Sequence, residues 1–66
     1  MNQPIQWNGV TVSPTREMML NVVKTHPGIT LDGIHNLGYR LVYSALHELM
    51  LDEVIFTENQ RYYPNN

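Results

Sequence analysis

The chain contains no cysteine, so neither disulfides nor thiolate metal sites can hold it together. Charge is scarce too. Four Lys and Arg stand against six Asp and Glu, giving a net charge of −2. That balance supplies no bulk electrostatic attraction to nucleic acid. No apolar run approaches the ~20 residues of a membrane span. Met1-Asn2-Gln3-Pro4 has neither the basic start nor the apolar core of a signal peptide. The expectation is a cytoplasmic protein with no membrane partner. Sixty-six residues make one small domain, which buries only about 60% of the surface its unfolded chain exposes. Domains of this size, without disulfide or metal, often gain stability from a second subunit, so a homodimer is a further expectation. A hydrophobic content of 42% indicates a packed globule rather than a disordered chain.

Catalytic constellations are missing as well. Ser13 and Ser44 have no glycine elbow, the acids are scattered, and no glycine-rich loop could cradle a phosphate. His26, His35 and His47 fall on three different helical segments without H-x₃-H spacing. No enzyme, metal or cofactor is expected.

What is present is an ordered series of helix and strand signals. Residues 1–12 read as an N-terminal arm. Asn8-Gly9 favours a type I′ turn between Ile5-Gln6-Trp7 and Val10-Thr11-Val12, as a hairpin or as one kinked strand, with Trp7 as an apolar anchor. Ser13-Pro14 is a helix start, and Met19, Val22, Val23 and His26 recur at helical spacing over 14–26. Pro27 stops this helix at the residue before it. Thr30 caps a short helix over 30–37 whose stripe is Leu31, Ile34 and Leu37, and Gly38 ends it. Gly33 inside it predicts close approach to another helix. A third helix over 39–51 buries Val42, Ala45, Leu46 and Leu49, with Leu41 and Met50 widening the stripe. Its outward face is Tyr39, Arg40, Tyr43, Ser44 and His47. Asp52-Glu53 closes it against the helix dipole. Over 54–64, Val54 to Thr57 and Arg61 to Pro64 flank Glu58-Asn59-Gln60 as a hairpin. This order builds a helix-turn-helix backed by a hairpin, a shape used mostly to read duplex DNA.

Over roughly 13–64 the residues resemble winged helix-turn-helix domains. The family's third-helix pattern falls on Val42, Leu46, Leu49, Glu53 and Ile55, with Glu53 where glycine is usual, and Tyr62-Tyr63-Pro64 looks like the returning wing strand. The resemblance implies an α+β fold: a small three-helix winged helix-turn-helix with a C-terminal β-hairpin wing and a short N-terminal strand or hairpin. It also implies duplex DNA as partner. The implied contacts are Tyr39, Arg40, Tyr43, Ser44 and His47 on the third helix, Asn59, Gln60 and Arg61 on the wing, and Thr30 oriented on the backbone. Arg can read guanine, while Ser and Tyr hydroxyls reach bases or phosphates. A small transcriptional regulator of phage or mobile-element type is the function expected. The alternative is a winged-helix interaction module that binds and modulates a host or regulatory protein. The acidic balance and the apolar surplus of Trp7, Leu41, Met50 and Leu51 favour it.

Overall fold

The computed structural model describes the backbone of residues 5–7 and the whole of residues 10–65. β1 (Ile5–Trp7) and β2 (Val10–Val12) pair antiparallel, with Ile5 opposite Val12 and Trp7 opposite Val10. The arm is therefore a hairpin. Its Asn8-Gly9 turn and the Trp7 side chain lie outside the described residues. There follow α1 (Arg16–Thr25), β3 (Ile29–Thr30), α2 (Leu31–Asn36), β4 (Tyr39–Arg40), α3 (Tyr43–Leu51), β5 (Ile55–Glu58) and β6 (Arg61–Pro64). The strands form two three-stranded sheets in the orders β1-β2-β4 and β3-β6-β5. The protein is a compact α+β domain of three helices and two small sheets.

Helix α1 begins later than the Ser13-Pro14 signal predicts. Ser13 sits at φ +59 and its N–H donates to the Arg40 carbonyl (3.1 Å), so the backbone has not yet turned helical. Thr15 is the cap instead, its hydroxyl accepting from the Met18 amide at 3.2 Å. At the far end His26 is exposed rather than part of the buried stripe. His26-Pro27-Gly28-Ile29 carries the type II turn signature: Pro second, Gly third at φ +86, and an Ile29 amide donating to the His26 carbonyl at 3.0 Å.

The core joins all three helices to β5. Met19, Val22 and Val23 of α1 meet Ile34 of α2, Val42 before α3, Ala45, Leu46 and Leu49 of α3, and Ile55. Thr30 caps α2 as expected, accepting from the Gly33 amide at 3.1 Å. Leu37 departs from its expected stripe and is 46% exposed. Gly33 does allow a close approach, but the neighbour is Ile29 of β3 and not another helix. A Cβ there would stand 2.9 Å from the Ile29 side chain.

The largest correction concerns the start of α3. Tyr39 and Arg40 are not helical: they form β4, which pairs parallel with β2, Thr11 opposite Tyr39 and Val12 opposite Arg40. The Thr11 amide donates to Gly38 O at 2.6 Å. Gly38, at φ +97, turns the chain out of α2 as its sequence position suggests. The N-terminal hairpin thereby grips the turn between α2 and α3.

The other end of α3 explains Glu53. The Glu53 amide donates to Met50 O at 3.0 Å and the Val54 amide to Leu49 O at 3.1 Å. With Asp52 in the right-handed region and Glu53 at φ +61, this is a Schellman motif. The position demands a left-handed residue, which glycine adopts without the steric penalty Glu incurs. It also places a carboxylate beside the negative end of α3. Glu53→Gly is therefore expected to stabilise the domain by about 1 kcal/mol, raising Tm by about 4–8 °C in a thermal melt. An unchanged or lower Tm would contradict the assignment.

Candidate nucleic-acid interface

The outward face of α3 follows from its period. Val42, Ala45, Leu46 and Leu49 turn inward, which leaves Tyr43, Ser44 and His47 exposed. Tyr43 is 63% exposed. Tyr43, Ser44 and His47 line an open groove of about 350 Å³ together with Leu46, Met50 and Tyr62. Tyr62 reaches it from β6, so this groove is where the hairpin meets α3. Burial, and secondarily the nearby Tyr43, push the Tyr62 phenol above its ordinary value near 10. The phenol stays neutral through the physiological range and keeps its O–H as a donor.

A second hollow of about 380 Å³ gathers Thr30, Leu31, Asp32, Asn59, Gln60 and Arg61. Here β6 runs antiparallel to β3, with Thr30 opposite Arg61. The β5–β6 hairpin closes on two residues, Asn59 at φ +53 and Gln60 at φ +65, as a type I′ turn requires. Glu58 and Arg61 stand opposite each other at its last rung. The Arg61 guanidinium nevertheless donates to the Gly28 carbonyl at 2.9 Å, which ties the hairpin to the α1–β3 turn. Phe56 and Tyr63 stack across the same ribbon with ring centroids 5.3 Å apart.

The residues expected on the third helix thus divide. Tyr43, Ser44 and His47 share its exposed face. Tyr39 lies in β4, half-buried against the core, because β4 must present one side to the interior. Arg40 is exposed, but its Nη1 donates to His35 O (2.7 Å) and Tyr39 O (3.0 Å). It adds a second donor to His35 O at the end of α2, which also accepts from the Gly38 amide at 3.0 Å, and it bonds the β4 carbonyl of its own neighbour. Thr30, Asn59, Gln60 and Arg61 come together in the second hollow, with Asp32 as an acidic neighbour that the sequence reading did not single out.

Electrostatics are lean across both surfaces. Helix α3 contains no Lys or Arg. Arg16 of α1 pairs with Asp52 and lies 3.9 Å from Glu48, linking α1 to the acidic side of α3. Exposed pairs of this kind are worth about 0–1 kcal/mol. Leu41, expected both beside the helical stripe and in the apolar surplus, is 65% exposed at φ +54 two residues before α3. A leucine beside a helical stripe reads as core, and nothing local signals the left-handed turn. Among the described residues there is no group of three His, Asp or Glu able to hold a metal ion, and no helix long and apolar enough to cross a membrane. Comparisons with protein-family models, with curated proteins and with solved structures find no match to this chain.

Proposed function

We propose that the chain is a winged helix-turn-helix domain that binds duplex DNA, acting as a small regulator of transcription of the phage or mobile-element kind. In this reading α2, the Gly38 turn and α3 are the helix-turn-helix, and β5–β6 is the wing. The observation that carries it is the placement of two exposed side-chain clusters beside these elements. Tyr43, Ser44 and His47 occupy the free face of α3, and Thr30, Asn59, Gln60 and Arg61 surround the wing tip. An α-helix fits the major groove, and a wing tip reaches backbone beside it.

The scarcity of cations sets how such binding behaves. Arg40 commits one nitrogen to two backbone carbonyls and Arg61 one nitrogen to one, and both keep further N–H groups for phosphate. Two phosphates per subunit correspond to a slope of log K against log salt of about −2. Binding is therefore weak per subunit, and a dimer doubles it. The test is fluorescence anisotropy with a labelled duplex pool from about 50 to 200 mM salt. It is paired with amide shifts on titrating the same pool. Expected are a slope near −2 per subunit, shifts confined to 40–47 and 59–61, and a slope reduced by about one unit in Arg61→Ala. Absence of duplex binding at low salt would reject this function.

One observation favours a second reading, an interaction module that docks on another protein. The segment leading into and forming α3 exposes Leu41, Tyr43 and Leu51 and carries no cation beyond the tethered Arg40. A stoichiometric protein partner, with duplex affinity indifferent to sequence, would select it over DNA.

A further inference from the structure

Leu41 is an outlier in two respects at once. Its backbone is left-handed at φ +54, and its side chain is 65% exposed. A left-handed backbone costs a non-glycine residue roughly 1–2 kcal/mol. At 65% exposure the leucine recovers only a small part of this through burial. Strain held at an exposed position beside a candidate interface is a pointer to function. Leu41 and Tyr43 flank the buried Val42 at the very start of α3, the end by which a recognition helix meets base edges. The chemistry offered there is apolar and aromatic. The side chain suited to guanine, an unoccupied arginine, is missing: α3 has none, and Arg40 is bound to His35 O and Tyr39 O.

Resting on the DNA-binding reading above, we infer that the entry into α3 reads thymine: Leu41 and Tyr43 pack against thymine 5-methyl groups in the major groove, and the preferred site is rich in A·T pairs where α3 enters. The methyl is the one apolar feature of the major-groove edge, and it distinguishes T·A from the other pairs. Such a contact also suits a domain with few cations, because it draws on apolar burial instead of phosphate neutralisation.

The experiment starts from a duplex selected from a random pool at low salt. Each thymine is then replaced in turn by uracil, which keeps Watson–Crick pairing and deletes only the methyl. Affinity is expected to fall about fourfold at one or two adjacent positions and to be unchanged elsewhere. Leu41→Asn, a residue that tolerates the left-handed backbone, should bind thymine and uracil duplexes alike at one of these positions. Circular dichroism identical to the parent protein establishes that this variant is folded. If uracil is neutral everywhere while the selected duplex is still bound, the thymine reading falls and DNA binding stands. A selected site made of G·C pairs, or a methyl preference that survives in both Leu41→Asn and Tyr43→Ser, overturns it equally. If no duplex is bound, both readings fall together.

Discussion

Leu49→Ala is expected to remove most of the domain's stability, while Leu51→Ala, two residues along the same helix, changes it by less than about 0.5 kcal/mol. Leu49 is 1% exposed and packs in the cluster that joins α1, α2, α3 and β5; Leu51 is 68% exposed. Truncating a buried leucine removes its transfer free energy and leaves a cavity, together roughly 2–5 kcal/mol. A chain of 66 residues has only about 3–10 kcal/mol to lose. The truncation therefore takes a large share, shifting Tm down by more than about 10 °C. The Val54 amide bonds to Leu49 O, so the backbone there is also fixed by the Schellman turn. Urea unfolding followed by far-ultraviolet circular dichroism is the measurement, with the midpoint as readout. Equal effects at the two positions would mean that α3 does not turn this face inward. The assignment of Tyr43, Ser44 and His47 to the outside would then be lost as well.

That face was legible in the sequence because a helix imposes a local period. Val42, Leu46 and Leu49 alone predict which side of α3 is free, and Thr30 and Gly38 predict where α2 begins and ends. The C-terminal hairpin was legible for a similar reason, since two β-rich runs flank a polar turn. The two-residue strands β3 and β4 left no such trace. Ile29 pairs with Tyr62 and Tyr39 with Thr11, partners more than twenty residues away, so no window of local sequence contains the pattern. Missing β4 extended the third helix back to Tyr39. It also counted Arg40 among the groove readers, although that guanidinium is turned back onto the end of α2. The same gap placed Leu41 inside the third helix, beside its stripe. Once β4 is in place the chain must reverse before α3, and a left-handed residue becomes necessary at the step between them. Glu53 was legible twice, as part of the acidic pair that closes α3 against its dipole and, through the resemblance, as a departure from glycine. Its φ of +61 now supplies the physical reason for that preference.

Gly28→Val is the second change expected to have a large effect, and it tests how the hairpin is held. Gly28 lies at φ +86, where a β-branched residue is strongly disfavoured. A Cβ at this site would also stand 3.4 Å from the Tyr63 ring, which stacks on Phe56 in the hairpin. Valine's branches extend beyond that Cβ, so either the ring or the turn must move. The backbone on both sides of the glycine is committed. Its N–H donates to Tyr62 O at 2.7 Å and its carbonyl accepts from Arg61 at 2.9 Å. A shift of the turn therefore weakens the contacts that seat β6 and orient Arg61. Backbone strain of this kind costs about 1–3 kcal/mol, and the lost hydrogen bonds add about 1 kcal/mol each. An overall loss near 3 kcal/mol is expected by urea unfolding. Gly28→Ala, which keeps the φ penalty without the branches, should lose roughly half as much. Amide shifts in the folded Gly28→Ala protein should concentrate at 61–63 and spare 43–51. Hairpin and α3 face would then respond separately, as two surfaces built on one core. Should the largest shifts fall instead within α3, the turn at Gly28 would be supporting the helix rather than the hairpin, and Arg61 would not owe its position to this glycine.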